Sequence, residues 1–305
     1  MGKQYICVDI GGTFIKHGLV SQAGDFLHRG AIETESKKGA SAILEKVDGI
    51  IQNYLPGGET EGICLSTAGI VDADEGTIIH ANANIPNYAG TNLKGYFEDK
   101  YGIPCEVEND VNCAGLAESV SGAAAGKRIA FCLTVGTVIG GCLVVDGNIF
   151  HGGNNCACEV GYMQSGKGSF EPEGTVSTLV AEAARRKGEP LFAWNGKRVL
   201  GEAKRGDRDC MDVLEYMTAV LGAGIANVCY VVNPEIVVLG GGIMGKEYED
   251  LLYPRIRTAM DSHLIPIIAR KTELKMAVHR NDAGMLGAFY HFRKRREKVG
   301  RNSGK

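Results

Sequence analysis

Three apolar segments of this chain run directly into glycine-rich turns. They are residues 5–9, 128–135 and 236–239, and 43 of the 305 residues are glycine, roughly twice the average usage. Because glycine has no Cβ, it permits tight turns and lets the backbone approach a ligand closely. Backbone N–H groups in such turns form binding sites for anions such as phosphate. The sequence therefore predicts a phosphate-binding protein whose sites lie at the ends of strands.

The first half of the chain combines a meander with strand–helix units. Strands at residues 5–9, 14–20 and 26–33 have connections too short for parallel pairing, so they are predicted to be antiparallel. Apolar residues at helical spacing then predict an amphipathic helix. The elements that follow the meander are the helix at 39–54, a strand at 61–66, a helix at 93–101, a strand at 104–107 and a helix that begins at Asp110.

The second half repeats this order of elements. After a strand at 128–135, the strand at 140–145 and the segment that follows Asp146-Gly147 are predicted to form a hairpin. A long helix at 211–232 then leads to a strand at 236–239. A repeat of such long period marks a duplicated domain rather than a solenoid. The predicted domains are residues 1–117, completed by a C-terminal helix at 285–305, and residues 118–284.

Charge and hydrophobicity argue against two classes of partner. The net charge is -3, whereas a nucleic-acid-binding domain normally has a basic surface. The basic residues near the end of the chain, 293–301, are interpreted as a solvated helix. No apolar run approaches the ~20 residues of a membrane span, and no secretory signal is present. Ten cysteines then imply free thiols. We expect a cytoplasmic protein with no nucleic-acid or membrane partner.

The first glycine turn carries the groups that bind a nucleotide's phosphates. Two glycines let backbone N–H groups approach phosphate oxygens, while a threonine hydroxyl and a lysine add a donor and a positive charge. The aspartate is a candidate ligand of Mg²⁺, directly or through water. A simple hairpin turn remains an equal alternative for this motif alone, since short glycine motifs are weak. The residues are Asp9, Gly11, Gly12, Thr13 and Lys16.

Two further glycine turns lie in the second half. The first occupies the same place as the turn above, and two such turns are much less expected by chance than one. The second follows a buried strand and suits close approach to a purine or ribose, although a plain strand-to-helix turn explains it nearly as well. Their candidate nucleotide-binding residues are Thr134, Gly136 and Thr137, and Gly240, Gly241 and Gly242.

The candidate catalytic residue is Asp110, in the motif Glu108-Asn109-Asp110-Val111-Asn112. A strand ends here and a helix begins, so the aspartate could serve merely as the N-cap of the helix. Open α/β sheets, however, place their ligands at the carboxyl ends of strands. This position favours a role in chemistry.

Taken together, these four motifs resemble the ROK family of sugar kinases and repressors, in family order and over nearly the whole chain. The resemblance implies an α/β fold of duplicated ribonuclease-H-like domains, as in actin and hexokinase, with the active site in the interdomain cleft. It also implies ATP and Mg²⁺ as cofactors, a sugar as the second substrate, and a homodimer.

Residue by residue, the resemblance makes Asp110 the catalytic base. The implied ligands of the sugar hydroxyls are Asn84, Asn109, Glu159 and Glu173, with Glu171 as a substitute for Glu173.

The chain departs from the family pattern at three places. Tyr162 replaces the histidine that usually contacts the sugar, and offers one hydroxyl and a flat apolar face. The family's zinc-binding cysteine cluster is missing between Met163 and Val176, so no structural zinc is expected, and the loop at 166–174 is expected to be mobile. Val138 occupies a position of the second turn that is usually glycine.

The resulting hypothesis is ATP-dependent phosphorylation of a hexose or hexose derivative at its 6-hydroxyl, with glucose or a β-glucoside favoured. N-acetylmannosamine is an alternative substrate. A sugar-responsive transcriptional regulator is the alternative of another class, but it would need a DNA-binding segment ahead of the first strand, which begins by Tyr5. An actin-like or chaperone-like ATPase is a further alternative, against which the polar sugar-ligand set argues.

Overall fold

The computed structural model describes residues 2–57, 59–165 and 168–302. The chain divides into two compact units. Unit 1 comprises Met1–Val120, His151–Ala157 and Asn281–Lys305, and unit 2 comprises Ser121–Phe150 and Cys158–Arg280. The predicted domain limits remain a prediction, because a division into compact units does not show which segments fold independently.

Unit 1 is built on a five-stranded sheet with the strand order β3-β2-β1-β4-β7. The first three strands are antiparallel, and β4 and β7 run parallel to β1, so the predicted meander and strand–helix units are confirmed. The elements are β1 (Gln4–Ile10), β2 (Phe14–Ser21), β3 (Phe26–Glu33), α1 (Ala40–Tyr54), β4 (Thr60–Thr67), β5 (Ile70–Asp72), β6 (Thr77–His80), α2 (Leu93–Tyr101), β7 (Cys105–Asn109) and α3 (Asp110–Ser121).

Burial explains why the central elements form. All seven residues of β1 are buried, as expected for a strand covered on both faces of a sheet. The apolar face of α1 buries Ile43, Val47 and Ile51 in the same core. The side chain of Asn92 caps α2 by accepting a hydrogen bond from the Gly95 N–H at 2.6 Å.

Unit 2 repeats the topology with the strand order β10-β9-β8-β13-β14. Again an antiparallel meander is followed by two parallel strands, so the predicted duplication is confirmed. The elements are β8 (Ile129–Val135), β9 (Ile139–Val145), β10 (Asn148–Ile149), β11 (Gln164–Ser165), β12 (Gly168–Ser169), α4 (Phe170–Gly174), α5 (Val176–Lys187), α6 (Gly196–Lys204), α7 (Arg208–Val232), β13 (Ile236–Gly240), α8 (Glu249–His263), α9 (Pro266–Ala269) and β14 (Glu273–Met276).

Helix α7 is the central helix of unit 2. Within the described part of the chain, it is the one helix whose length and apolar composition match a membrane span. Its buried face includes Leu214, Leu221 and Ile225, which belong to the core of unit 2. This packing accounts for its apolar composition.

The C-terminal helix α10 (Ala283–Asn302) packs on the sheet of unit 1. Arg295 and Arg296 point inward, toward the buried carboxylate of Glu106, at 3.5 and 3.8 Å. The interpretation of this basic run as a purely solvated helix was therefore wrong for these two residues. Burying Glu106 requires cationic partners, and a helix that crosses the sheet supplies them.

We predict that Gly287→Ala destabilises the protein. A Cβ at Gly287 would lie 1.9 Å from the backbone oxygen of Cys113 on α3, so α10 would have to move away from α3. Such overpacking costs about 1–3 kcal/mol. The midpoint of thermal unfolding should fall clearly.

Gly49→Ala is the matched control, since Gly49 lies inside α1 and a Cβ there meets nothing within 4 Å. It should raise the midpoint, because alanine in a helix is favoured over glycine by about 0.5–1 kcal/mol. Equal midpoints for the two variants would contradict the close packing of α10.

Candidate active site

The β1–β2 turn is held firmly from the side of the sheet. The Gly11 N–H donates to the Phe14 oxygen at 3.1 Å, and the buried Thr34 hydroxyl donates to the Gly11 oxygen at 2.7 Å. The Thr34 N–H donates to the Thr13 oxygen at 2.9 Å. Gly12 and Thr13 themselves are exposed. The turn is thus rigid and open to a ligand, and Thr34 is a supporting residue that the sequence did not reveal.

Asp9 lies at the end of β1, beside this turn. It is 8% exposed, and its carboxylate accepts hydrogen bonds from the Ser66 hydroxyl at 2.7 Å and from Lys16 Nζ at 3.4 Å. Gly284 faces it, where a Cβ would approach Asp9 Cγ to 2.5 Å. The structure therefore brings Asp9, Lys16 and the turn together. A carboxylate in this position fits Mg²⁺, which prefers oxygen ligands.

Asn109 and Asp110 form the junction of β7 and α3. Asn109 Oδ1 accepts hydrogen bonds from the Val111 and Asn112 N–H groups at 2.9 and 3.0 Å, which is the geometry of an N-cap. Asp110 Oδ1 accepts from the Val111 N–H at 2.9 Å and from Asn109 Nδ2 at 3.1 Å. The capping role, which the sequence offered as an alternative for Asp110, therefore belongs to Asn109.

The side-chain amide of Asn109 is fully engaged within unit 1. Besides Asp110, its Nδ2 donates to the Gly69 oxygen at 2.8 Å. A sugar hydroxyl would have to share these hydrogen bonds. Asn109 thus orients the Asp110 carboxylate, and this role requires no contact between Asn109 and a sugar.

Asn84 is exposed, on the connection between β6 and α2. Its N–H donates to Asn82 Oδ1 at 3.0 Å, which fixes the local turn. Farther along this connection, the buried Tyr88 forms a hydrogen bond between its hydroxyl and Thr67 Oγ1 at 2.6 Å. Burial, with a smaller effect of the Asp110 charge, raises the pKa of Tyr88 far above its usual value. Tyr88 and Thr67 are two further supporting residues that the sequence did not reveal.

The β8–β9 turn of unit 2, like the first turn, joins two antiparallel strands and begins with a glycine. The Gly136 N–H donates to the Val138 oxygen at 3.0 Å, and the Val176 N–H donates to the Gly136 oxygen at 2.9 Å. Thr137 is exposed, and the side chain of Val138 is 46% exposed. Thr134 lies at the end of β8, where its hydroxyl reaches the Gly140 oxygen at 3.5 Å.

Gly241, in the turn after β13, can only be glycine. Its φ is +116°, and a Cβ would lie 2.0 Å from the Val135 oxygen on β8. Gly240 is buried at the end of β13, and Gly242 is exposed. The third glycine turn is therefore required by close approach of two backbones, and its exposed edge remains available to a ligand.

The candidate sugar ligands of unit 2 lie in two groups. Glu159 directly precedes a short 3₁₀ turn, Val160–Tyr162, and Tyr162 at its end is 73% exposed. Glu171 is directed to this turn: its Oε2 accepts from the Ile139 N–H at 3.2 Å and lies 3.0 Å from the Cβ position of Gly161.

Glu173, by contrast, accepts a hydrogen bond from the Tyr216 hydroxyl on α7 at 3.0 Å. It also lines a cavity of about 300 Å³ between α5 and α7. Glu171 thus stays an alternative to Glu173 as the sugar ligand. Sequence reasoning did not reveal Tyr216, because no local pattern links two residues so far apart in the chain.

These features define a class of protein. Two units of the same topology each present a glycine turn after their first strand, and unit 1 adds a carboxylate at the strand–helix junction. A model of the ROK family matches residues 5–295. A β-glucoside kinase of Listeria innocua is 32% identical over 298 residues, with 93% of this chain and 95% of the relative covered. A glucokinase of Halalkalibacterium halodurans is 30% identical over 312 residues, with 93% of each covered.

Solved structures agree with this assignment. The ROK family glucokinase of Streptomyces griseus, in complex with glucose and AMPPNP, superimposes with a TM-score of 0.81 at 26% identity, covering 93% of this chain and 97% of that one. The chain is therefore an ATP-dependent sugar kinase with the duplicated α/β fold of actin and hexokinase. It belongs to the ROK family.

We predict that the purified protein holds no stoichiometric zinc. In residues 2–57, 59–165 and 168–302, no group of three or more His, Cys, Asp or Glu side chains could hold a metal ion. Residues 166 and 167 of the loop expected to be mobile lie outside this description. The measurement is elemental analysis after mild chelation, with activity assayed in parallel. About one zinc per chain would contradict the prediction.

Proposed function

We propose that this protein transfers the γ-phosphoryl group of ATP to the 6-hydroxyl of a hexose or hexose derivative, with glucose or a β-glucoside favoured. The observation that supports this most is the Asp110 carboxylate, held at a strand–helix junction by Asn109 and the Val111 N–H. The relatives described above act on glucose and on β-glucosides, which favours these two substrates.

In the proposed mechanism, Asp110 accepts the proton of the attacking hydroxyl. The hydrogen bonds from the Val111 N–H and Asn109 Nδ2 fix its carboxylate before the substrate arrives, which lowers the cost of orientation. The two glycine turns present backbone N–H groups to the phosphates, and Lys16 adds a positive charge. Asp9 is the residue that would hold Mg²⁺, which would supply neutralisation of charge on the phosphates. Little covalent chemistry is left for the protein, so positioning dominates.

The proposed sugar ligands are Asn84, Asn109, Glu159, Tyr162 and Glu173, with Glu171 as the alternative to the last. Carboxylates and amides together offer both acceptors and donors to the hydroxyls of a sugar. The family resemblance leaves N-acetylmannosamine and a non-catalytic sugar-responsive regulator as alternatives. It also supports a homodimer, and ten free cysteines agree with a cytoplasmic location.

Asp110→Asn should leave the protein folded and abolish most turnover. Asparagine keeps an oxygen that can accept from the Val111 N–H, but it cannot accept the proton. Loss of the general base should lower kcat by roughly 10²–10⁴-fold, with a smaller change in the KM for the sugar. A coupled ATP/Mg²⁺ assay measures both.

Asp99→Asn is the matched control for this variant, because Asp99 is exposed on α2 and the chemical change is the same. It should have the kcat of the wild type. Near-normal kcat in Asp110→Asn would rule out Asp110 as the base.

A sugar panel tests the substrate, and Tyr162 should control tolerance at C1. Because its side chain is 73% exposed, Tyr162 does not fill the core, and its ring can stack on a sugar. We expect glucose and C1-substituted sugars such as cellobiose to be phosphorylated. Tyr162→Phe keeps the ring, so it should change kcat/KM only through the lost hydroxyl.

The panel contains hexoses, N-acylhexosamines and disaccharides, each assayed with wild type and Tyr162→Phe. Rejection of every C1-substituted sugar would contradict an open pocket. Identical kcat/KM values for both proteins on all sugars would exclude a role for the hydroxyl. Binding of a sugar with no turnover of any panel member would favour the regulator.

A further inference from the structure

Strand β7 buries two carboxylates on the same face of the sheet. Glu106 and Glu108 are 3% and 0% exposed, and residues two apart on a strand share a face. A buried carboxylate is costly unless it is paired. Glu106 is neutralised by Lys94 at 3.0 Å, with Arg295 and Arg296 near it. No lysine or arginine pairs with Glu108 in the described part of the chain, so another group must compensate its negative charge.

Glu108 divides its two oxygens between the catalytic turn and two histidines. Oε1 accepts hydrogen bonds from the Asn109 N–H at 2.8 Å and from Asn112 Nδ2 at 3.0 Å. Oε2 bonds His151 Nε2 at 2.6 Å and lies 3.5 Å from His291 Nδ1. One carboxylate therefore connects His151 to the residue that caps α3 and orients Asp110.

The positive partner of Glu108 is His151. Burial lowers the pKa of His291, so this imidazole is neutral, and its Nε2 has no hydrogen-bond partner in the described part of the chain. The hydrogen bond to Glu108 raises the pKa of His151, which is 28% exposed. Burial alone would raise the pKa of Glu108, but the hydrogen bond from His151, with that from the Asn112 amide, brings it below its usual value.

His151 begins a short segment that belongs to the same unit as Glu108. His151–Ala157 belongs to unit 1, although the chain before and after it belongs to unit 2. The Ala157 N–H donates to the His151 oxygen at 3.2 Å, which closes the segment on itself. Glu159, a proposed sugar ligand, follows two residues later. His151 thus anchors the chain just ahead of the sugar-binding residues.

We propose that His151 is a positioning residue for phosphoryl transfer: as an imidazolium it holds the Glu108 carboxylate, whose other oxygen fixes Asn109 and thereby orients Asp110. The proposal rests on the proposed role of Asp110 as the base. His151 acts only through Glu108 and touches no reacting atom.

The pair has a pH dependence whose sign follows from the two pKa directions. For His151, the folded pKa lies above the ordinary value of about 6.5. Its contribution is therefore complete below that ordinary value and is lost as the pH rises through the raised pKa. For Glu108, the contribution is lost only as the pH falls through its lowered pKa. Besides the pair and His291, the charged groups that affect His151 are Asp74, which raises its pKa, and Arg295, which lowers it.

The test compares His151→Ala with His151→Gln. The alanine variant should lose about tenfold or more in kcat, because a small displacement of a catalytic group is costly, while the KM for ATP stays within about twofold. Glutamine places a neutral N–H near the position of Nε2, so it should restore most of kcat. It should also remove the fall in kcat that we expect of the wild type as the pH rises through the raised pKa of His151. His263→Ala, at an exposed histidine ending α8, should match the wild type.

A double-mutant cycle tests whether His151 acts through Glu108. Glu108→Gln keeps the shape but removes the charge, so adding His151→Ala to it should lower kcat by less than twofold further. Fully multiplicative losses would overturn the proposal. So would a His151→Ala variant whose kcat and pH profile equal those of the wild type.

An NMR titration of His151 gives a readout that needs no activity. Its pKa should lie above the ordinary value of about 6.5 in wild type and fall toward it in Glu108→Gln. An unshifted pKa in wild type would overturn the proposal. A raised pKa of His151 combined with near-normal kcat in Asp110→Asn would support the His151–Glu108 pair but exclude Asp110 as the base. Failure of the pair and failure of the proposed function are therefore distinguishable.

Discussion

The parallel register of β1, β4 and β7 is the constraint on which the site in unit 1 depends. Asp9 pairs with Ser66 across the first two strands, and Ser66 pairs with Glu108 across the next two. Backbone hydrogen bonds thus place three polar side chains in one row at the carboxyl edge of the sheet. A one-residue slip would move every side chain to the other face, so the buried core and the site fix the same register.

Burial and hydrogen bonds then hold the polar side chains of this row in place. Asp9 is held by Ser66 and Lys16, and Glu108 by two backbone or amide donors and His151. Each bond restricts a side chain before any substrate binds. A kinase gains its rate chiefly from positioning and from stabilising charge, so preorganised carboxylates match the chemistry. In the proposed mechanism, packing of the sheet and catalysis would thereby rest on the same contacts.

Duplication gives both units the same sheet topology, but different residues stabilise their glycine turns. In unit 1, the buried Thr34 supports the turn through its hydroxyl and N–H. In unit 2, the Val176 N–H at the start of α5 supports Gly136. Gly241 is needed for contact between two backbones, whereas Gly12 has open space around it and is free to face a ligand. Similar glycine motifs therefore serve two physical purposes, which their sequences do not distinguish.

The sequence by itself determined the meanders, the main strands and helices that follow them along the chain, the duplication, the start of α3 at Asp110 and the family. These follow from local periodicity, turn chemistry and motif spacing, which are properties of neighbouring residues. Only the tertiary structure decided that Asn109 caps α3, that Arg295 turns inward, and that His151 meets Glu108. The contacts of Arg295 and His151 join residues far apart in the chain, and their partners are chosen by sheet register and helix packing, which no local pattern encodes. The cap of α3 is local, but Asn109 and Asp110 are both capping residue types, so the sequence did not choose between them.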